Sequence, residues 1–168
     1  RSLPGIVDVN NAVFEKTFSD VTLLAGILID KFLYHLPLFR LHQRIVFNGI
    51  KISRGSLTNY CLSSIGLLEP IYNALVEMVV TGRVKAMDET PVKVGYKSKG
   101  KMHKGYFWPV YGEQNEVIFP YAETMAAEVV REVLKEHGGV LISDGYAAYD
   151  KYAASVDNVI LAQCWAHA

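Results

Sequence analysis

Two different hydrophobic periods divide this chain of 168 residues. From residue 19 to residue 82, apolar side chains recur every three or four positions, which is typical of amphipathic helices. Ser19 or Asp20 is predicted to cap the first helix and Ser53 the third, because short polar side chains accept hydrogen bonds from the free N–H groups at helix starts. The predicted helices cover residues 19–35, 37–49, 53–68 and 70–82, after an extended lead-in over residues 1–18.

At Arg83 the pattern changes to the short β-branched and aromatic runs of strands. The strand segments VKAM (84–87) and PVKV (91–94) surround Asp88, and further strands are predicted for GYFWPVYG (105–112), VIFPY (117–121), VLIS (140–143) and NVILAQC (158–164). The glycine- and lysine-rich residues 95–105 are predicted to be a loop. One helix is predicted over 124–139 with Thr124 as its cap, and a short one around 146–152.

With VKAM and PVKV counted together, the predicted order is therefore strand, strand, strand, helix, strand, helix, strand. An antiparallel meander followed by a βαβ crossover indicates an α/β chain with a mixed sheet and helices on the faces of the sheet. We predict a helical segment over residues 1–82, with a helix-turn-helix-like part from Pro37 to Leu68, and a mixed-sheet domain over residues 83–168.

Two carboxylates follow strands of this sheet. Asp88 comes after the first predicted strand and Asp144 after the fourth. If these strands are parallel neighbours, both side chains emerge at the carboxyl edge, where open α/β sheets bind ligands. Two carboxylates repel each other there unless a cation lies between them, and oxygen ligands suit Mg²⁺. The alternative is that each Asp only caps a helix or forms a turn. Glu89 is expected to point away, because adjacent side chains of an extended segment face opposite sides.

Charge is unevenly distributed although the formal net charge is zero. Residues 1–82 carry a net +1, residues 83–104 a net +5 and residues 105–168 a net −6. Such polarity orients charged partners. The basic loop is therefore a candidate for contacts with nucleic-acid phosphates, and the alternative is a solvated hairpin. The candidate residues are Lys97, Lys99, Lys101 and Lys104.

Other features of the sequence carry less functional information. The helix-turn-helix-like part offers polar side chains to a DNA groove, but its low net charge favours a packing or partner-docking role. The aromatic residues between 105 and 119 are predicted to be mostly buried. Cys61 and Cys164 form no disulfide framework and fit a reducing cytoplasm. The apolar run over residues 21–29 is too short to span a membrane.

Three motifs in sequence order, DETPVKV (88–94), SDGYAAYDKY (143–152) and CWAHA (164–168), closely resemble the catalytic core of bacterial insertion-sequence transposases of the IS-sixty-six type. The segment LLAGILIDKFLYHLPLFRLHQ (23–43) resembles the helical stretch that precedes that core. The resemblance implies an RNase H-like fold, whose β-β-β-α-β-α-β opening matches the predicted order. It also implies DNA transposition by metal-dependent strand cleavage and strand transfer.

The same resemblance makes Mg²⁺ or Mn²⁺ the expected cofactor, with Asp88 and Asp144 as the first two members of an Asp-Asp-Glu triad. The expected partner is DNA, both transposon ends and target, and the full-length protein is expected to be a homo-oligomer without membrane association. The third carboxylate, a Glu, is expected after CWAHA, so we expect a C-terminally truncated chain that is inactive alone. Two alternatives are a DNA-binding or assembly module with a vestigial catalytic half and a nuclease of the same fold.

Overall fold

The computed structural model describes residues 19–98 and 100–165, and the side chains of all of these except residues 96–98. The chain divides into two compact units, Arg1–Pro70 and Ile71–Ala168. The predicted lead-in over residues 1–18 lies outside the described residues. Among the described residues, no helix combines the length and the apolar character needed to cross a bilayer.

The first unit is helical, as predicted. Asp20 begins α1, since its carboxylate accepts a hydrogen bond from the Leu23 N–H at 2.8 Å. Ser53 begins α3 in the same way, through the Ser56 N–H at 2.9 Å. Both predicted caps are therefore confirmed. The elements are α1 (Val21–Leu28), a π-helical turn (Ile29–Leu33), α2 (Leu38–Phe47) and α3 (Arg54–Gly66).

Apolar side chains from the three helices of this unit meet in a small core of Ile27, Leu41, Ile45, Leu57 and Cys61. The connection between α2 and α3 turns at Gly49, whose φ of +87° favours glycine. At the start of α3, Arg54 is exposed and its guanidinium lies 4.9 Å from the centre of the Phe39 ring.

The second unit combines helices with two sheets. It contains most of α4 (Glu69–Thr81), then β1 (Val84–Met87), β2 (Thr90–Ser98), β3 (Lys101–Phe107), β4 (Val110–Tyr111), β5 (Val117–Ile118), β6 (Tyr121–Ala122), α5 (Ala127–Leu134), β7 (Gly139–Ser143), α6 (Ala147–Ser155) and β8 (Val159–Gln163). Its core includes Trp108, Val130, Leu134, Leu141 and Tyr149, all at most 1% exposed.

The larger sheet has the strand order β5-β4-β1-β7-β8. β1 is parallel to β7 and β7 is parallel to β8, while β4 pairs antiparallel with both β1 and β5. The sheet is therefore mixed, as the sequence predicted. The first and fourth predicted strands, now β1 and β7, are parallel neighbours, with Val84 opposite Val140 and Ala86 opposite Ile142.

The smaller sheet, with the order β2-β3-β6, was not predicted. The predicted loop over residues 95–105 is wrong, because β2 and β3 pair antiparallel through most of it and turn at Gly100, whose φ is +78°. Glycine and lysine content suggested a loop, but cross-strand pairing determined the structure.

Proline interrupts two predicted strands. Residues 105–112 are divided at Pro109, which has no N–H to donate, so β3 and β4 belong to different sheets. Residues 117–121 are divided in the same way at Pro120, whose carbonyl accepts the Trp108 N–H at 2.8 Å. At these two prolines, the antiparallel pair β4–β5 of the larger sheet gives way to the antiparallel pair β3–β6 of the smaller sheet.

Two smaller predictions are also wrong. Helix α5 begins after Ala126 rather than at Thr124, and it ends at Leu134 because Lys135 adopts a φ of +56°. Several aromatic side chains between 105 and 119 are exposed, because only one face of these short strands packs on the core. Trp108 is buried, whereas Phe107, Tyr111 and Phe119 are 38%, 49% and 54% exposed.

Candidate metal centre

Asp88 lies where the chain leaves the larger sheet. The buried Met87 ends β1, and the Asp88 N–H donates to the Pro109 carbonyl at 3.2 Å. The Asp88 carboxylate accepts a hydrogen bond from the Glu89 N–H at 2.8 Å. β2 then begins at Thr90 in the other sheet, so Asp88 and Glu89 occupy a bend between two strands.

Asp144 occupies the equivalent position after β7. The strand ends at Ser143, whose carbonyl accepts the Cys164 N–H at 2.8 Å. Gly145 has a φ of +87°, and the Asp144 carboxylate accepts the Tyr146 N–H at 2.9 Å just before α6. Asp144 therefore forms a turn, which was the alternative to a metal-binding role in the sequence analysis. Its second carboxylate oxygen takes no part in the hydrogen bond with the Tyr146 N–H.

The two strand ends bring three carboxylates together. One oxygen each from Asp88, Glu89 and Asp144 lies within 4.8 Å of the other two. The expectation that Glu89 points away from Asp88 is wrong. That expectation assumed an unbroken extended segment, whereas the strand ends at Met87 and the alternation of side chains ends with it. The acidic pair directly before Thr-Pro was the only sequence signal for this bend.

Tyr149 on α6 holds Glu89 in place. Tyr149 is 1% exposed, and its hydroxyl donates to Glu89 Oε2 at 2.9 Å. Burial raises the pKa of the Glu89 carboxyl, the Tyr149 bond lowers it, and the charges of Asp144 and Asp88 raise it again. Burial and the Glu89 carboxylate also raise the pKa of Tyr149, so its hydroxyl stays protonated and donates.

The donor set fits a hard divalent cation. All three groups are carboxylates, the ligand type that Mg²⁺ and Mn²⁺ prefer. In octahedral Mg²⁺ coordination adjacent ligand oxygens lie about 3 Å apart and opposite ones about 4.2 Å apart, so an ion bound here would hold the three oxygens closer together than 4.8 Å. A cavity of about 100 Å³ adjoins Asp88 and Asp144, also lined by Ala86, Met87, Tyr111, Ile142, Ser143 and Cys164.

Two of the predicted phosphate-binding lysines lie on a strand of the β2–β3 hairpin rather than on a loop. Lys101 and Lys104 are exposed on β3. Because they are an odd number of residues apart on one strand, they face opposite sides of the sheet. The predictions for Lys97 and Lys99 lie outside the described side chains and residues.

Comparison with known proteins agrees with the resemblance. A family profile described as "Transposase IS66 family" matches residues 16–168. This chain belongs to the IS66 transposase family. Three proteins of Sinorhizobium fredii (strain NBRC 101917 / NGR234) are similar to it, each called an uncharacterized protein: y4qI, y4jD and y4hP.

The three similar proteins are 28%, 28% and 27% identical to this IS66-family chain, over 86%, 87% and 90% of its length. The matched regions cover 30%, 31% and 29% of those proteins. The chain therefore spans about three-tenths of the length of the curated relatives it matches.

Proposed function

We propose that this chain contributes metal ligands to the catalytic core of a DNA transposase that cleaves and transfers DNA strands. The main support is the meeting of Asp88 and Asp144 at the carboxyl ends of two parallel strands, within a family of transposases. Carboxylates in this position are suited to holding Mg²⁺ or Mn²⁺. When bound, such an ion activates an attacking water or 3′-hydroxyl and stabilises the leaving oxygen in phosphoryl transfer.

The chain's own residues prepare the site for that ion. The Pro109 carbonyl fixes the backbone of Asp88, and the turn at Gly145 fixes Asp144. Tyr149 restrains Glu89 beside them while leaving one Glu89 oxygen outside that hydrogen bond. We propose that Glu89 would hold the ion as an additional ligand or would accept a hydrogen bond from water in the site.

The strand order of the larger sheet supports the RNase H-like part of the proposal. In chain order its strands lie third, second, first, fourth and fifth across the sheet, with the first three antiparallel and the last two parallel to the first. β2, β3 and β6 are additions to this arrangement. We further propose that strand transfer needs a third carboxylate beyond Asp88 and Asp144, which the family resemblance assigns to a Glu after CWAHA. We also propose that the full-length protein acts as a homo-oligomer on transposon ends in the cytoplasm.

Binding of Mn²⁺ to the chain tests the metal site directly. Bound Mn²⁺ loses the electron paramagnetic resonance signal of the free ion, so titration gives an affinity and a stoichiometry. We expect Asp88→Asn and Asp144→Asn each to weaken binding at least tenfold, because each removes a charged ligand. The matched controls Asp150→Asn and Asp157→Asn change exposed carboxylates elsewhere in the unit and should leave binding unchanged. Equal binding by all four variants would overturn the proposal.

The reaction products separate transposition from hydrolysis by a nuclease. A full-length protein that carries this core should join a DNA 3′ end to a target strand in the presence of Mg²⁺, and Asn at the position of Asp88 should abolish the joined product. Cleaved DNA without any joined product would instead support the nuclease.

A further inference from the structure

The hairpin formed by β2 and β3 concentrates positive charge next to the carboxylates. Between Glu89 and Glu113 the sequence contains five lysines and no acidic residue. The hairpin begins at Thr90, directly after Glu89, and leads back through Pro109, whose carbonyl holds the Asp88 N–H. Both ends of the hairpin are therefore attached to the candidate metal centre, and the nine residues of β2 extend roughly 30 Å from it.

Two of these lysines oppose each other across the hairpin. Lys93 of β2 is the direct antiparallel partner of Lys104 of β3, so both side chains lie on the same face. Both are exposed, and in the part of the chain that the structure describes neither has an ion-pair partner. The Lys104 ammonium instead lies 5.0 Å from the centre of the Tyr106 ring.

Like charges that are direct cross-strand partners destabilise an antiparallel pair. The sequence provides no acidic residue anywhere in the hairpin to relieve this repulsion. An anionic partner would relieve it. The carboxylate cluster at the base of the hairpin would repel the same partner, so the hairpin supplies the attraction that the candidate centre lacks.

We propose that the hairpin face carrying Lys93 and Lys104 binds the phosphate backbone of the DNA that reaches the Asp88–Asp144 centre. The identity of the partner rests on the proposed function. Lys93 lies three residues beyond Thr90, about 10 Å along the strand, so the contact begins within a few nucleotides of the carboxylates. Lys101 faces the other side of the hairpin and does not belong to this surface.

Salt-dependent binding of the chain to a fluorescein-labelled DNA duplex tests the surface, with fluorescence anisotropy as the readout. The slope of log affinity against log salt, taken from about 50 to about 200 mM NaCl, counts phosphate contacts. The double variant Lys93→Gln, Lys104→Gln should lower the magnitude of that slope by about 1.8, because each lost contact contributes about 0.9. Its melting temperature should be equal to or above that of the wild type, since a repulsive pair has been removed.

A matched double variant distinguishes a specific surface from total charge. Lys135→Gln with Lys151→Gln removes the same charge from exposed positions on other elements of the unit, and its slope should equal that of the wild type. Equal slopes for both double variants, whether reduced or unchanged, would overturn the proposal. Lys104→Glu gives a further check, because it should form an ion pair with Lys93, raise the melting temperature and weaken DNA binding.

Mn²⁺ binding keeps this test separate from the test of the proposed function. The Lys93, Lys104 double variant should bind Mn²⁺ like the wild type, and Asp88→Asn should bind the duplex at least as well as the wild type. A wild-type chain that binds Mn²⁺ but no DNA would contradict the hairpin surface alone. A chain that binds DNA through the lysines but no Mn²⁺ would contradict the metal centre alone.

Discussion

The parallel strands β1 and β7 carry charged groups near both of their ends, and the surroundings of those groups differ. Near the amino end, Lys85 is 2% exposed, and its ammonium donates to the carbonyls of Gly82 at 2.6 Å and Gly138 at 3.0 Å. Burial lowers the pKa of Lys85, and the charge of Glu113 partly opposes this. The positive charge is matched by partners within the same unit.

At the carboxyl end, three carboxylates lie together, and the hydrogen-bond donors that the described residues supply to them are all neutral. These donors are the N–H groups of Glu89 and Tyr146 and the hydroxyl of Tyr149. Neutral donors position the oxygens without cancelling their mutual repulsion. The comparison indicates that the charge at the amino end is compensated within the fold, whereas the charge at the carboxyl end is not, and the proposed metal site depends on this difference.

The largest effect is expected for Gly139→Ala at the amino end. Gly139 has a φ of +105°, and an added Cβ would lie 2.5 Å from the Arg83 carbonyl oxygen. Because backbone must move to relieve this contact, we expect a loss of about 3 kcal/mol in the free energy of unfolding, measured by urea denaturation. Gly95→Ala is the control, since it meets no atom within 4 Å. Equal losses for the two variants would contradict the close packing assigned to this end.

Lys85→Met should have the next largest effect. The change keeps the volume of the buried side chain and removes the donor to Gly82 and Gly138, leaving two carbonyls without this partner. We expect a loss of about 2 kcal/mol in the free energy of unfolding. The exposed Lys151→Met should change it by less than about 0.5 kcal/mol. If Lys85→Met also leaves the free energy of unfolding unchanged, the charge at the amino end does not stabilise the fold.

Tyr149→Phe tests whether a neutral donor positions the carboxylates. The variant keeps the buried ring and removes the hydrogen bond to Glu89, and we expect a loss of about 1 to 2 kcal/mol in the free energy of unfolding. Tyr152→Phe is the matched control on the same helix, because its hydroxyl donates to the His137 carbonyl at 2.9 Å. Both variants should lose stability, but only Tyr149→Phe should weaken Mn²⁺ binding. Equal Mn²⁺ affinities would remove Tyr149 from the site.

The smallest effect is a pH dependence caused by Glu89. The pKa of its carboxyl is raised in the folded chain from the ordinary value of 4.5, so the folded state retains a proton that the unfolded state has released. The free energy of unfolding should therefore fall as pH rises from 4.5 through the folded pKa. In the presence of a chelator, the Glu89→Gln variant should not show this fall. The free energy of unfolding of the variant, relative to that of the wild type, should therefore increase over the same pH range. Parallel pH profiles would contradict the buried, repelled Glu89.

The sequence predicted those parts of the fold that depend on local pattern. The Asp20 and Ser53 caps, the strand VKAM and the strand VLIS are each specified by a few neighbouring residues, and all were predicted at or near their observed bounds. The parallel pairing of β1 with β7 entered the sequence argument as a condition, and the structure contains it. This pairing is what places Asp88 near Asp144.

The parts that were missed depend on contacts between distant residues. The smaller sheet exists because β3 pairs with both β2 and β6, and no local pattern shows that pairing. Glu89 joins the cluster because a buried tyrosine 60 positions later reaches it. The sequence alone shows that the hairpin lysines form a charged group. Only the observed register shows that Lys93 and Lys104 are direct cross-strand partners.

The most direct test of the metal centre is thermal denaturation of the wild type, Asp88→Asn and Asp144→Asn, first in a chelator and then with saturating Mg²⁺ or Mn²⁺. In the chelator, both variants should melt at or above the wild type, because each removes one repelling charge. With metal the order should reverse, since a ligand at about 100 times its dissociation constant stabilises the folded state by about 2.7 kcal/mol. If the metal shifts all three chains equally, or shifts none, Asp88 and Asp144 do not share a metal site.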